Sequence, residues 1–409
     1  MKIWIKYLLG VTLGILMAII IPFTSVTASN LLQFFTELSL RAGRYFLLPL
    51  LFFSMTVAVC EIRDSGKLMK TVVRIGLTGL CVTALLVVIG LGSALLIKLP
   101  RIPISVEKVN QTVSLDIPQK LLSLFPYNGF GALKDGSFLL PLYVFAGFAG
   151  AGFASDKLKS KPAFTLFDSL SKTSYLILSF FTDALAIGMI AISCTWTLTF
   201  INVIKSGVYN SLILMLTIEL LLVIGIILPL LLKLVCKELH PYKVLYASIT
   251  SLLTAFFSGD SNFTLPANLR HAKESLGIRR RSNVITLPIL STFFRSGAAM
   301  TITISFVVIL RSYSSLGISF SDVMWIAGYA FGISFLLGAL PTGGPYIALT
   351  ILCTLYGRGF EAGYLLLKPA APIICAYAAT IDAACNMFCA YYIASKQHMI
   401  EQKEVKYYI

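Results

Sequence analysis

The chain has 409 residues, of which 57% are hydrophobic and only 12% are charged. Several apolar runs reach the roughly 20 residues that a helix needs to cross a bilayer, which excludes a soluble globular protein and predicts a polytopic membrane protein. The formal net charge of +15 does not indicate a nucleic-acid partner, because the basic residues collect in alternate loops.

The distribution of these basic residues predicts the orientation of the chain. One set of loops holds 20 lysines and arginines, and the opposite set holds eight. Because cytoplasmic loops carry the excess of positive charge, both termini are predicted to be cytoplasmic, in a bacterial inner membrane. The basic set comprises the N-terminus, the loops 63–74, 156–161, 233–243 and 270–281, and the C-terminal tail.

Six helices are predicted before the first irregular segment. They span about 3–22, 31–62, 67–98, 138–155, 170–201 and 207–235. The first is long and lacks a small-residue cleavage site, so it is interpreted as a retained helix rather than a signal peptide. Pro49 is expected to kink the second helix. Asp183 and Glu219 lie inside the fifth and sixth, and each is either a functional residue or a paired structural acid.

Two features flank the predicted fourth helix. Before it, the polar stretch 99–137 is too long for a turn and is predicted to be an extracellular loop. At its end, small residues are concentrated between Ala146 and Gly152. Small residues let helix backbones approach closely in lipid, which predicts a site of helix packing or subunit contact.

The polar run Ser258–Pro266 interrupts an apolar segment that begins near Tyr246. Backbone at membrane depth leaves helical geometry only where protein or a water-filled cavity satisfies its polar groups. Arg295 is the single charge in the next long apolar run. An ordinary loop and an arginine that snorkels to the interface are the alternatives, but a broken helix beside a buried charge favours a functional site.

A second interruption follows at Pro341–Pro345, where two prolines remove backbone donors and two glycines permit positive φ. The last apolar run contains Asp382. The order is therefore broken segment, helix with Arg295, broken segment, helix with Asp382. Repeated units of this kind, inverted relative to each other, are typical of secondary transporters.

Five stretches of the sequence match a known pattern: RYFLLPLLFFSM and FPYNGFGAL in the first half, and TLPANLRHAKESLGI, LPILSTFFRSGAAM and GALPTGGP in the second. Through these stretches the sequence resembles the dicarboxylate/amino-acid:cation symporters, the relatives of glutamate and neutral amino-acid transporters. The resemblance covers essentially the whole chain.

The resemblance implies an all-α polytopic membrane fold with eight transmembrane helices and two re-entrant helical hairpins in inverted repeats. It also implies a homotrimer in contact with membrane lipid, in which an elevator motion carries a small-molecule substrate. A scaffold would comprise 1–62 (helices one and two) and 138–205 (helices four and five), and the mobile transport domain 63–98 (helix three) and 206–409. The last range would contain helix six, hairpin one at about 241–277, helix seven at about 282–312, hairpin two at about 321–357, helix eight at about 360–396 and a short cytoplasmic tail.

The sequence departs from the family at the expected ligand positions. The serine-rich tip of the first hairpin becomes SGDSN, which includes Asp260. The Asn-Met-Asp-Gly-Thr motif of helix seven, which supplies sodium ligands in the family, aligns with residues 294–298, and only Gly297 is kept. Losing such carboxylates makes the usual sodium sites doubtful.

Helix eight differs as well. The resemblance places Asp382 at the aspartate that binds a substrate amino group. Cys385 stands at the arginine that reads a side-chain carboxylate, Asn386 at a threonine, Cys389 at an asparagine and Ile393 at a sodium-ligand aspartate.

Three roles remain open for Arg295. It could bind a substrate carboxylate through a bidentate contact, which we expect; it could replace a coupling cation; or it could form a structural ion pair with Asp260 or Asp382. The predicted substrate-binding residues are Ser258, Asp260, Ser261, Asn262, Arg295, Thr342, Gly343, Gly344, Asp382, Cys385, Asn386 and Cys389.

The predicted function is symport or exchange of a small amino acid or dicarboxylate, with a proton as a candidate coupling ion. No cofactor is expected, and the eight cysteines, which contain no CxxC pair, predict neither a disulfide framework nor a zinc site. A channel-like protein or a non-transporting sensor on the same fold is the alternative. An intramembrane enzyme is not supported, because none of the three histidines lies in an HExxH motif and no GxSxG is present.

Overall fold

A computed structural model describes residues 2–21, 25–97, 99–103, 122–134, 136, 138–238, 240–313, 318–340 and 342–409, with residue 157 described for its backbone only. These residues form helices and connecting turns, and no strand occurs among them. Most of the predicted extracellular loop 99–137 lies outside the described residues.

The described residues of the first half of the chain form six helices. They are α1 (Ile3–Ile20), α2 (Val26–Arg44), α3 (Leu47–Asp64), α4 (Leu68–Leu96), α5 (Leu140–Ser155) and α6 (Lys157–Lys205), with a short 3-10 helix, Gly129–Leu133, before α5.

The second half contains more interruptions. Its helices are α7 (Asn210–Leu222), α8 (Leu228–Cys236), α9 (Tyr242–Ser258), α10 (Ser261–Glu274), α11 (Arg280–Phe293), α12 (Ser296–Tyr313), α13 (Phe320–Ser334), α14 (Gly344–Tyr356) and α15 (Ala371–Lys396). A π-helical turn, Val223–Ile227, joins α7 to α8, and 3-10 helices occupy Phe335–Ala339, Gly363–Leu367 and Val405–Tyr407.

Two helices of the first half differ from the prediction. The predicted helix 31–62 begins earlier, where the Ser25 hydroxyl accepts a bond from Ala28 N–H, and it divides between α2 and α3. Pro49 lies in the first turn of α3, where its missing N–H removes no helical bond, so the break precedes the proline instead of forming a kink at it. The predicted turn 156–161 is also wrong, because Asp156 caps α6 and the helix continues through Pro162.

Two predicted helices of the second half are interrupted or shortened. Helix seven, predicted as continuous over 282–312, divides into α11 and α12 at Phe294 and Arg295. Helix eight, predicted from about 360, has a 3-10 turn first, and α15 begins only at Ala371, with Pro372 in its first turn. Pro372 is tolerated there because the first backbone donors of a helix have no helical partner.

The helices pack in two groups. In the first group α1, α2 and α3 pack on the long helix α6, and α5 packs on α3. In the second, α12 packs between α4 and α15, while α9 packs on both α10 and α15. The groups meet mainly where α11 lies on α3 and α9 lies on α6.

Among the described residues, eight helical segments are long and apolar enough to cross a membrane. The number equals the predicted one, but the membership differs. The 16-residue α5 was predicted as helix four and falls below the required length, whereas Phe320–Ala339, in the predicted second hairpin, exceeds it.

Candidate functional site

The tip of the first hairpin is formed by two residues. α9 ends at Gly259, whose φ of 61° lies in the left-handed region that glycine adopts without strain. Asp260 follows in an extended conformation, and its Oδ1 accepts a 2.8 Å bond from Phe263 N–H at the start of α10. The predicted interruption is therefore correct in place, but Ser261–Pro266 is helical rather than irregular.

The tip of the second hairpin lies between the 3-10 helix Phe335–Ala339 and α14. Gly343 has a φ of 70° and precedes α14, which carries Pro345 in its first turn. Gly344 packs tightly, since a Cβ there would lie 3.2 Å from Nη1 of Arg295. The glycines of this tip thus provide the left-handed turn and the close approach to Arg295.

The two tips contact each other. Asp260 and Thr342 form an isolated antiparallel bridge through their backbones. The Thr342 hydroxyl also donates a 2.7 Å bond to Oδ2 of Asp260. The carboxylate of Asp260 is fully buried, and the arginine that pairs with it is Arg44, from the end of α2. An Asp260–Arg295 pair was one of the alternatives left open for Arg295, and the structure instead pairs Asp260 with Arg44.

Arg295 lies in the break between α11 and α12, where it is almost completely buried. Its Nε donates to Oδ2 of Asp382 at 3.2 Å, so the ion pair with Asp382 that the sequence left open is present. Its Nη1 donates to the carbonyl oxygen of Leu340 at 2.9 Å and lies 3.4 Å from that of Leu337. Its Nη2 has no hydrogen-bond partner among the described residues.

Asp382 completes this arrangement from α15. Its Oδ1 accepts bonds from the N–H groups of Gly297 at 2.7 Å and Ala298 at 3.3 Å. These are first-turn donors of α12, which the break in helix seven exposes. A Cβ at Gly297 would lie 2.6 Å from the carbonyl oxygen of Ala378, so only glycine permits this approach of α12 to α15.

Arg295 and Asp382 form a buried charged centre whose hydrogen bonds are made mostly to each other and to nearby backbone groups. One guanidinium is surrounded by a carboxylate oxygen and two carbonyl oxygens, and one carboxylate by a helix N-terminus and a guanidinium. A bidentate contact to a carboxylate needs two free guanidinium nitrogens on one edge, but Nη2 alone is uncommitted. In this conformation the one guanidinium nitrogen of Arg295 without a partner among the described residues is Nη2, which carries two N–H donors.

The other predicted residues of the first tip are held by the protein. The Ser258 hydroxyl donates to the Thr254 carbonyl at 2.7 Å. Ser261 and Asn262 are both buried, and the amide of Asn262 donates to Gly136 O at 3.4 Å. The structure thus brings these three residues beside Asp260, whose backbone N–H donates to the Ser258 hydroxyl at 3.3 Å.

The predicted residues of α15 extend away from Asp382 along the helix. Cys385 and Asn386 lie about one turn beyond it and are buried. Cys389 lies a further turn away and lines an apolar cavity of about 300 Å³ together with residues of α4 and α8, such as Cys81 and Leu228. The structure therefore places Cys389 beside a different cavity from the one at the tips.

A cavity of about 440 Å³ adjoins the two tips. Its walls come from α2 and α6 on one side and from the tips and the start of α15 on the other. The tip residues in the wall are Ser258, Gly259, Thr342 and Gly343, and Cys375 lines the cavity from the start of α15.

Arg44 is the residue of this region that sequence reasoning missed. It belongs to RYFLLPLLFFSM, where it served only as part of the resemblance. A charge inside a predicted membrane helix was the available signal. Asp183, by contrast, has the paired role that was one of its alternatives, because it contacts Lys6 at 3.5 Å and Arg270 at 3.2 Å.

Within the described ranges, no group of three or more His, Cys, Asp or Glu side chains is placed to hold a metal ion. The carboxylate oxygen of Asp382 and the carbonyl oxygen of Leu340 accept hydrogen bonds from the guanidinium of Arg295.

Comparison with known proteins gives a consistent result. A profile of the sodium:dicarboxylate symporter family matches residues 2–396. The chain is similar to the serine/threonine transporter SstT of Streptococcus agalactiae serotype Ia, with 24% identity over 362 residues, covering 86% of this chain and 85% of that protein. It is similar to the SstT proteins of Acinetobacter baumannii strain AYE, with 26% identity over 87% of this chain and 86% of that one, and of Acinetobacter baylyi, with 27% identity over 59% of each.

Proposed function

The chain belongs to the sodium:dicarboxylate symporter family, and on that premise we propose that it is a secondary active transporter of a small neutral amino acid in which Arg295 replaces a coupling cation. It is a transporter and not an enzyme, as the family and the SstT relatives indicate.

The observation that carries the proposal is the environment of Arg295. A carboxylate oxygen and backbone carbonyl oxygens are the ligands that hard cations prefer in proteins. Here they surround the guanidinium, at Asp382 and at the carbonyls of Leu337 and Leu340. Those carbonyls lie at the C-terminal end of the 3-10 helix Phe335–Ala339. The C-terminal end of a helix carries a negative partial charge, which stabilises a cation. Because arginine keeps its charge at physiological pH, this positive charge is permanent.

The same geometry supports a neutral amino acid rather than a dicarboxylate. One guanidinium nitrogen of Arg295, Nη2, is without a partner among the described residues, which suffices for a contact with an α-carboxylate through a single nitrogen. The resemblance places Cys385 at the arginine that reads a side-chain carboxylate in the family, so such a carboxylate would find no charged partner there. The SstT relatives are named as serine/threonine transporters, which agrees with a small, uncharged side chain.

The closure of the site would depend on the two hairpins. We place the substrate between their tips, near Nη2 of Arg295 and near the Asp382 carboxylate, whose oxygens can accept a further hydrogen bond. Asn386 would be an additional hydrogen-bonding group. The separation of the helices into two packing groups supports an elevator motion in which the group with α12 and α15 moves relative to that with α6. Re-entrant hairpins, a trimer and cytoplasmic termini follow from the family resemblance and from the distribution of basic residues.

Counterflow in liposomes tests whether the protein is a carrier. Vesicles containing purified protein and excess unlabelled serine or threonine should accumulate the labelled amino acid transiently, and aspartate should compete poorly. Vesicles without protein are the control. A channel would equilibrate the label without accumulation, and a non-transporting sensor would give no protein-dependent uptake; either result would contradict the proposal.

A further inference from the structure

Arg44 joins the scaffold helix α2 to both hairpin tips. Its Nη2 forms an ion pair with Oδ2 of Asp260 and lies 3.5 Å from the hydroxyl oxygen of Thr342. Thr342 donates to the same carboxylate oxygen at 2.7 Å. One oxygen of Asp260 is therefore shared by an arginine of the first helix group and a threonine of the second hairpin.

The Asp260 carboxylate depends on these partners. It is fully buried, and a buried carboxylate requires an opposite charge or several hydrogen bonds to remain ionised. Its other oxygen, Oδ1, is used to cap α10. The Arg44 side chain, in contrast, is 27% exposed, so water can reach the arginine when the pair separates. The ion pair therefore holds the two tips together, and water can solvate Arg44 when the pair breaks.

The tips form one wall of the 440 Å³ cavity, and Cys375 at the start of α15 lines the same cavity. The cysteine is only 6% exposed in the closed arrangement. If the tips separated, this wall would open and the thiol would become accessible. Cys375 is therefore a native reporter of tip closure.

We propose that Arg44 is a positioning residue that clamps the two hairpin tips together against α2, and that the Arg44–Asp260 pair must break before the tips separate. The clamp gives the transporter proposed above a defined barrier to opening on the side of α2. Its test requires no substrate, so the failure of the transport proposal and the failure of the clamp are distinguishable.

The test is the rate at which N-ethylmaleimide modifies Cys375 in the purified full-length protein, followed by mass spectrometry of each cysteine. Arg44→Gln removes the positive charge. Asp260→Asn removes the negative charge but keeps the capping oxygen, because asparagine is also a favourable N-cap residue. We expect each variant to raise the rate at Cys375 by about tenfold, the factor that loss of one charge-assisted hydrogen bond produces. The double variant should show no further increase, because both changes remove the same contact.

Matched controls separate a clamp from a general loss of structure. Arg41 lies one turn before Arg44 on α2 and pairs with Glu37 at the surface, so Arg41→Gln should behave like the wild type. The exposed Cys81 should react at one rate in every variant, and the buried Cys353 should stay protected.

Arg44→Lys provides the conservative variant, because it keeps the charge and should restore most of the protection of Cys375. Unchanged labelling of Cys375 in both Arg44→Gln and Asp260→Asn would overturn the clamp. An increase that occurs equally at Cys353, or equally in Arg41→Gln, would also overturn it, since it would indicate loosening of the whole fold.

Discussion

At the scale of single residues, the site is organised around the guanidinium of Arg295, a positive charge that is covalently part of the protein and cannot dissociate as a bound cation can. Arg295 and Asp382 are both almost fully buried, and each satisfies most of the other's hydrogen-bonding capacity together with nearby backbone. Sequence reasoning identified both residues from their type and depth. It left their pairing open as one of several roles, and it did not identify the bonds from Nη1 to the second hairpin, because these depend on the break at Phe294 that brings α12 onto α15.

The stability of the Arg295–Asp382 pair gives a residue-scale prediction. Arg295→Met leaves a carboxylate buried with no opposite charge, and the free energy of unfolding should fall by about 3–5 kcal/mol. Adding Asp382→Asn removes that charge while retaining an oxygen for Gly297 N–H, so most of the stability should return. Titration of the purified protein with a denaturing detergent measures both effects. Equal stability of the single and double variants would show that the pair has no such role.

At the scale of helices, the interruptions were predictable and their extents were not. Gly259 and Gly343 have positive φ, in turns that glycine adopts without strain, and both lie within the predicted interruptions. The long α6 was missed because a lysine-rich stretch with Pro162 was interpreted as a turn. The division of helix seven was also missed. Its cause is tertiary: a carboxylate on another helix accepts the donors that the break exposes.

The small residues of α5 provide an element-scale prediction with an internal control. A Cβ at Gly150 would lie 2.5 Å from the Thr56 carbonyl oxygen, so Gly150→Ala should force α3 and α5 apart and destabilise the protein by about 1–3 kcal/mol. A Cβ at Gly147, one turn earlier, meets no atom within 4 Å. Gly147→Ala should therefore be neutral or stabilising by up to about 1 kcal/mol, because alanine is the better helix former. Thermal unfolding in detergent compares them, and equal melting temperatures would refute the predicted contact.

At the scale of the whole molecule, the two helix groups are held together by ion pairs as well as by packing. Arg280 pairs with Asp168, and Arg281 pairs with Glu61 at 2.7 Å, so the start of α11 is linked to α6 and α3. The sequence predicted the family and the division into scaffold and transport parts through resemblance. It did not predict these links, because partners so distant in the chain are selected only by the packing of the helices.

If a fixed guanidinium replaces a coupling cation, transport should depend little on sodium. Uptake of labelled serine or threonine into liposomes should be compared in sodium and choline buffers of equal ionic strength. We expect the rates and apparent affinities of the wild type to agree within a few-fold, and Arg295→Lys to retain part of the activity because it keeps the positive charge. A steep dependence of wild-type uptake on sodium would show that Arg295 does not replace the coupling cation.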